Sequence, residues 1–175
     1  AVGGVSTVGH GLGVAPSMMI FKDRDSGSAN WPVYHTSLGN TSACLLDTTA
    51  ASSATANWWN NTSPTSSVVT IGSNENTSTH KYVAYCFAPM AGYSAFGSYT
   101  GNGSADGPFI YTGFRPAYVM MKRYDTGNTG NWWIYDTARS TYNAADKVLF
   151  ADTSAAEITD SNIDLLSNGF KFRTA

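Results

Sequence analysis

Two adjacent tryptophans followed by two asparagines, Trp58-Trp59-Asn60-Asn61, are the residues of this sequence best suited to binding chemistry. Pyranose rings present C–H faces that stack on aromatic rings, and side-chain amides hydrogen-bond to sugar hydroxyls. The pattern is therefore typical of a glycan-binding platform. The alternative interpretation is structural, with one indole filling the core and the other covering it.

Residue patterns for catalysis are missing from the sequence. It contains no Gly-x-Ser-x-Gly elbow and no serine, histidine and acid set with a recognisable spacing. Its aspartates allow many carboxylate pairs of the kind that glycoside hydrolysis needs, but nearly all follow predicted strand ends, where aspartate commonly forms turns. We therefore predict no catalytic residues and no enzymatic activity.

Metal-binding patterns are weak. Asp23-Arg24-Asp25-Ser26-Gly27 resembles the start of a calcium loop, but the corresponding residues Arg123–Gly127 lack the first carboxylate, and no acidic residue closes the loop. His10, His35 and His80 have no partners at a metal-ligand spacing such as HxxxH. We predict structural histidines, no metal site and no cofactor.

Composition limits the partners. Net charge is −2, charged residues make up 13% of the chain, and there is no basic run, which argues against nucleic acid and anionic membrane surfaces as partners. No apolar run approaches the roughly 18 residues that span a bilayer, so we expect no membrane insertion. Low charge combined with five Trp and ten Tyr is typical of an extracellular or virion-surface β protein. Cys44 and Cys86 are expected to be buried thiols.

The elements that must position these residues come from an internal duplication. Gly13–Asp25 and Phe114–Asp125 share a proline, a lysine and an aspartate, each one hundred residues apart. Both stretches pass through a glycine-rich turn into Asn-Trp, at Asn30-Trp31 and Asn131-Trp132, and then into a strand-like run.

Short strands are predicted throughout, because apolar runs and period-2 alternation are bounded by turn residues and no useful window has a 3.6-residue period. The longest polar loop, 48–66, carries the two tryptophans. The strongest prediction is His80–Ala88, which as a strand places His80, Tyr82, Ala84, Cys86 and Ala88 on one face and Lys81, Val83, Tyr85 and Phe87 on the other. The other predicted strands are an edge strand within 1–13, then 17–22, 31–36, 43–47, 68–72, 93–100, 108–112, 117–123, 132–137, 147–151, 163–166 and 169–173.

These strands predict an all-β, antiparallel β-sandwich, lectin-like or jelly-roll-like, built from the duplication. We expect a single domain, 1–175, with related halves of about 5–103 and 104–175 facing each other across one core, the second half truncated. Two tandem small domains are the alternative. Core residues are expected to be Met18, Ile20, Val119 and Met121, or their alternation partners Met19, Phe21, Tyr118 and Met120.

The runs HGLGVAPSMMIFKDRD, NWPVYHTSLG, WWIYDTAR and LLSNGFKFR, and above all the GSYTGNG…GPF…TGFRPA segment, resemble an uncharacterised domain family. This family occurs, often repeated, in tail-fibre and other virion structural proteins of marine and freshwater tailed phages. The resemblance covers nearly the whole chain. It implies a lectin-like sandwich at the virion surface and supplies no catalytic residues. The chain departs from the pattern in stopping before a second copy of the HKYVAYCFA strand.

Three functions follow as hypotheses. The first is a non-enzymatic virion appendage domain, similar to a tail fibre, that builds the fibre or attaches to the host by binding surface glycans. The second is a purely architectural capsid-decoration or fibre-shaft subunit, and the third is a glycan depolymerase. Expected partners are other copies of the chain, as a homo-oligomer or fibre, other virion proteins, and a host-surface glycan. If the second half lacks a counterpart of His80–Ala88, a sheet edge stays open for the Ala1–Gly9 arm, for a neighbouring subunit or for further chain.

Overall fold

The computed structural model describes residues 4–125, 127 and 129–173, with the backbone alone at 161 and 162. The described chain is nearly all β, and every strand pairing is antiparallel, so the predicted all-β, sandwich-like fold is confirmed. The elements are β1 (Ser6–Gly9), β2 (Met18–Asp23), β3 (Pro32–His35), β4 (Ser42–Leu45), β5 (Ser53–Ala54), α1 (Ala56–Trp59), β6 (Val68–Ile71), a 3₁₀ turn (Ser73–Glu75), β7 (Tyr82–Phe87), β8 (Phe109–Tyr111), β9 (Tyr118–Lys122), β10 (Trp132–Asp136), β11 (Ala145–Phe150), β12 (Ile158–Leu166) and β13 (Gly169–Phe172).

The chain forms two compact units, Ala1–Pro89 with Tyr124–Gly130, and Met90–Arg123 with Asn131–Ala175. These units divide the chain differently from the predicted halves, because the turn between β9 and β10 belongs to the first unit. Each unit has its own hydrophobic cluster. The prediction that the halves face each other across one core in a single domain stays a prediction.

The first unit contains a five-stranded sheet, in the order β5-β4-β3-β2-β7, and a two-stranded sheet, β1-β6. Its core is built from both sheets and from the helix between them. Met19 and Phe21 of β2 pack with Val69 and Ile71 of β6, and Trp59 of α1 completes the cluster.

The second unit is one six-stranded sheet in the order β8-β13-β12-β11-β10-β9. Its buried cluster is Val119, Tyr135, Ala145, Val148, Ile163, Leu165 and Phe170. Gly169 is required where β13 meets β8, since a Cβ there would lie 2.1 Å from the carbonyl oxygen of Ile110.

The two units share one strand order, as a true duplication requires. The pair β1-β6 of the first unit corresponds to β8-β13 of the second. The row β5-β4-β3-β2 likewise corresponds to β12-β11-β10-β9. The counterpart of β6 is therefore β13. β12, which contains the predicted strand 163–166, takes the position of the two-residue strand β5.

Hydrogen bonds repeat as well. The Asp47 carboxylate accepts from the Trp31 amide at 3.0 Å, and the Asp152 carboxylate accepts from the Trp132 amide at 2.7 Å. In each unit an aspartate that follows one strand, β4 or β11, thus holds the start of the strand before it, β3 or β10. The Asn-Trp dipeptide recurs at the start of both of these strands.

The buried positions of β2 and β9 follow the one-hundred-residue offset. Met19 and Phe21 lie in the first cluster, whereas Val119 is buried in the second and Met121 packs against it. Of the two predicted sets, the first was therefore correct for β9, with Val119 and Met121, and the second was correct for β2, with Met19 and Phe21. Neither set was correct for both strands, because equivalent positions in the two copies must be one hundred residues apart. Met18 is also buried, at 8% exposure.

Three local predictions differ from the structure. Residues 93–100 contain no strand apart from one isolated bridge, Met90 to Ser94. The loop 48–66 contains β5 and a four-residue helix, and β12 begins before the predicted residue 163. Cys44 and Cys86 are thiols, the first buried and the second half-buried.

Candidate functional site

The helix α1 points its two tryptophans in different directions. The Thr55 hydroxyl caps its first turn by accepting from the Asn57 amide at 3.2 Å, and Asn60 ends the helix in the left-handed conformation, at φ 50°. Because neighbouring helical residues are about 100° apart around the axis, Trp58 and Trp59 face different surroundings.

Trp59 is a core residue. It is 0% exposed, its Nε1 donates to the Ser42 carbonyl at 3.0 Å, and its ring lies 5.6 Å from Phe21 and 5.7 Å from Tyr34, centroid to centroid. A ring with no exposed surface has no face to offer a sugar. The prediction of Trp59 as a glycan-contacting residue is therefore corrected, and the alternative interpretation of one indole in the core holds for it.

Trp58 lies at the edge of the same cluster, half-buried, and forms part of a cavity wall. Its Nε1 is buried and has no hydrogen-bond partner among the described residues. A buried donor without a partner costs about 1–3 kcal/mol, so such groups concentrate where a ligand or water completes the bond. The cavity has a volume of about 330 Å³ and is lined by Asp23, Ser28, Ala29, Asn30, Trp58, Ser73, Asn74, Glu75 and Thr77.

A glycine brings the opposite wall of this cavity against the helix. The Gly72 amide donates to the Trp58 carbonyl at 2.6 Å, and a Cβ on Gly72 would lie 2.3 Å from the Asn57 carbonyl oxygen. Only a glycine permits this approach. The 3₁₀ turn that follows, Ser73–Glu75, is thereby held beside α1, with Asn74 and Glu75 at the cavity.

Asp23 and His80 form a hydrogen-bonded pair at the end of β2. His80 Nδ1 lies 2.7 Å from Asp23 Oδ2, while Asp23 Oδ1 accepts from the amides of Asp25 at 2.9 Å and Ser26 at 3.2 Å. The hydrogen bond from His80, joined by the two amides, holds the pKa of Asp23 below its usual value although burial opposes this. Asp23 is therefore a fixed negative charge in the cavity wall.

Glu75 is the second carboxyl group of the cavity and is 5% exposed. Its side chain makes no hydrogen bond within the described part of the chain. Burial, with a smaller contribution from the charge of Asp23, raises the pKa of Glu75 from 4.5 to about 7, although Lys22 acts in the opposite direction. A half-ionised carboxyl without a partner is characteristic of binding and catalytic sites.

A second cavity, of about 470 Å³, also reaches Glu75. Its other walls come from β1, β6 and β7 and include Phe21, Ile71, His80 and Tyr82. Glu75 thus separates a polar cavity beside Trp58 from a more apolar one beside the β1-β6 sheet.

The remaining predicted ligand residues lie elsewhere. Asn60 and Asn61 are exposed, both at φ 50°, and neither lines either of these two cavities. The amides beside Trp58 are those of Asn30 and Asn74, which sequence reasoning missed because both lie in turns with no pattern to distinguish them. A polar turn Ser-Asn-Glu-Asn also gives no signal that its glutamate is buried.

The loop that resembles a calcium site serves as a turn. Asp23 binds two amides of its own loop and His80, and the Asp25 carboxylate accepts from the Lys81 amide at 2.8 Å. Among the described residues there is no group of three or more histidine, cysteine, aspartate or glutamate side chains placed to hold a metal ion.

The fold and the cavity define the class of this protein as a duplicated, antiparallel all-β domain with a polar, ligand-sized cavity in its first unit. A model for a domain of unknown function, DUF7483, matches residues 1–175, and the chain belongs to that family. No curated protein and no solved structure matches it. The described helices are all too short or too polar to cross a membrane.

Proposed function

We propose that this chain is a non-enzymatic domain of a virion appendage that binds a host-surface glycan in the Trp58 cavity. One observation carries the binding proposal, namely the half-buried Trp58 in the wall of a cavity whose other walls carry amides, hydroxyls and carboxyls. Sugar sites combine an aromatic wall with a few fixed hydrogen-bonding groups. The virion location rests on the sequence resemblance to tail-fibre domains.

The carboxyl groups favour binding over hydrolysis. A glycosidase needs a free carboxylate as base or nucleophile opposite a protonated acid. Glu75 fits the acid, whereas Asp23 is held by its own turn, with one oxygen accepting from two backbone amides and the other bonded to His80. These contacts give Asp23 a structural role, which supports a site that binds without hydrolysis.

The glycan proposal predicts that Trp58→Ala weakens binding by about 1–3 kcal/mol, by analogy with other aromatic stacking platforms. Trp58→Phe keeps an aromatic ring in the cavity wall, so it should retain more of the affinity than Trp58→Ala. A glycan array identifies the ligand, and titration calorimetry gives the affinities of the variants. As a matched control, Trp133→Ala removes a half-buried tryptophan of the second unit and should leave the affinity unchanged. Equal affinities for wild type and Trp58→Ala, or release of new reducing ends from the glycan, would contradict the proposal.

A second role, fibre building, is favoured by the edge of the second sheet. In the first unit β2 pairs with both β3 and β7, whereas β9, its counterpart, pairs only with β10 within the described chain. The Ser6–Gly9 arm does not fill this position, because it pairs with β6. We propose that a strand of a neighbouring subunit adds to β9, since a terminal strand presents unpaired backbone groups.

Met120→Pro tests this role. The Thr137 amide donates to the Ala117 carbonyl at 2.9 Å, so alternation directs the backbone groups of Met120 away from β10. Proline at 120 therefore removes a donor from the open edge and none from the sheet, as edge strands tolerate. We expect assembly, followed by light scattering and electron microscopy, to be lost in Met120→Pro and kept in Met120→Ala. Polymers of unchanged length in the proline variant, or a wild type that stays monomeric at high concentration, would rule the addition out.

A further inference from the structure

Glu75 has the features of a carboxyl group that binds a positively charged ligand. It is 5% exposed, it lines the cavity beside Trp58, and no described side chain or amide donates to its carboxyl oxygens. A carboxyl group that has lost most of its contact with water is stabilised by any hydrogen-bond donor that reaches it. Because Glu75 lines the cavity, a ligand bound there can supply that donor.

The charges around Glu75 decide what kind of donor fits. Asp23 faces it as a permanent negative charge, and His80 neutralises Asp23 only when the imidazole is protonated. Lys22 is the nearby cation, but its ammonium donates to the carbonyls of Ala29 at 2.6 Å and Ser26 at 3.3 Å. Tyr82 is the other titratable side chain of the adjoining cavity.

The balance of these groups favours uptake of a positive charge. Burial and Asp23 together outweigh Lys22, because the pKa of Glu75 stays raised, at about 7. At neutral pH the carboxyl therefore holds a proton about half of the time. An ammonium group placed against the carboxylate counteracts both burial and the repulsion by Asp23, since it neutralises the charge and donates charge-assisted hydrogen bonds.

Trp58 supplies the complementary part of the site. It is half-buried and lines the cavity, and an indole ring attracts cations and stacks on the C–H face of a pyranose. The cavity of about 330 Å³ is of the size that holds a small ligand. Asn30 and Asn74 offer both donors and acceptors to the remaining hydroxyls.

We propose that the cavity binds a pyranose that carries a protonated amino group, with its ammonium on the Glu75 carboxylate and the sugar against Trp58. This inference rests on the proposed glycan-binding function and deepens it by naming the substrate class. Amino sugars with a free amine are the ligands, and their N-acetylated and hydroxyl counterparts are bound less tightly because they meet the neutral carboxyl and gain no charge-assisted hydrogen bond.

The test compares three tetrasaccharides by titration calorimetry at pH 6.5, namely the β-1,4-linked oligomers of glucosamine, N-acetylglucosamine and glucose. We expect the glucosamine oligomer to bind roughly ten- to hundredfold more tightly than either of the others, which is the scale of a charge-assisted hydrogen bond. Because Glu75 must lose its proton to receive the ammonium, binding should release protons at this pH, less those that the fraction of ligand with a neutral amine takes up. Buffers of different ionisation enthalpy measure that release.

Glu75→Gln keeps the shape of the side chain and removes its charge. In this variant the preference for the free amine and the proton release should both disappear, while the N-acetylated oligomer binds as it does to wild type. Glu157→Gln is the matched control, since it makes the same change at the other glutamate of the chain, outside both cavities, and should keep both signals.

The outcomes separate the two proposals. Binding of all three oligomers with equal affinity, or a preference that survives in Glu75→Gln, overturns the amino-sugar inference and leaves glycan binding in place. Equally tight binding of propylamine, which carries the ammonium without a sugar, also overturns it. Absence of binding by every oligomer, together with a blank glycan array, overturns the proposed function as well.

Discussion

Replacing Trp59 by alanine is expected to lower the free energy of unfolding of the first unit by about 3–5 kcal/mol, the usual cost of deleting a fully buried large aromatic side chain. The ring is 0% exposed and packs on Phe21 and Tyr34, and the substitution also leaves the Ser42 carbonyl without its indole donor. A decrease of this size within one unit approaches the total free energy of unfolding of a small domain.

Trp58→Ala is the matched control, because it deletes the same side chain one residue earlier on the same helix. It should cost clearly less stability, since Trp58 is only half-buried at the edge of the cluster, yet it should abolish most glycan affinity. Urea unfolding followed by circular dichroism measures both variants. Hydrogen exchange with mass spectrometry then locates the damage, which should concentrate in β2, β3 and β6 and spare β11–β13. If Trp59→Ala is as stable as wild type, or if protection falls evenly over both units, the core role of Trp59 is refuted.

This contrast also shows how far the sequence predicted the site. The adjacent tryptophan pair left open a glycan-binding platform or a structural pair with one indole in the core, and no sequence pattern tells which ring would be buried. The choice depends on the phase of a four-residue helix, and Thr55 and Asn60 set that phase as its caps. So short a helix has no hydrophobic periodicity to detect.

The strands were predictable where the duplication supplied a second observation of each. β2 and β9, and β3 and β10, were found because proline, lysine and Asn-Trp recur at a fixed offset. β5 was missed because it is two residues long, and only the end of β12 was predicted. The two share no sequence pattern, so only the pairing with β4 and β11 reveals their equivalence.

The burial of Glu75 could not be predicted from the sequence, because it depends on tertiary contacts. A glutamate between two asparagines predicts an exposed turn, and on propensity alone that is the correct expectation. Its burial follows from Gly72, whose missing Cβ lets the turn pack against α1. Close backbone approach of this kind is visible only once both segments are in place.

Burial of Glu75 should make the stability of the first unit depend on pH in an unusual direction. A carboxyl whose pKa rises from 4.5 in the unfolded chain to about 7 in the fold binds more protons when folded between these values. Stability then decreases as pH rises from about 4.5 to 7 and stays reduced above that. At 1.36 kcal/mol per pKa unit, the loss at pH 8 amounts to about 3 kcal/mol.

Glu75→Gln removes this loss, because a neutral amide has no charge to dehydrate. We expect the variant to match wild type in free energy of unfolding near pH 4.5 and to exceed it by about 3 kcal/mol at pH 8. The measurement is a series of urea unfolding curves between these pH values. Only the difference between the two proteins is interpreted, because His35, whose pKa is lowered by burial, titrates in the same window with the opposite sign in both.

Asp23 does not disturb this difference, since its pKa lies below the usual carboxyl range and its stabilising contribution is lost only at lower pH. Glu157→Gln should show no gain that grows with pH, because Glu157 is exposed and pairs with Arg139. A flat difference curve for Glu75→Gln would mean that the carboxyl reaches water or a partner in the fold. A rising curve would show that the charge of Glu75 lowers the free energy of unfolding. Such a cost is typical of binding sites, because selection there acts on ligand binding and not on stability.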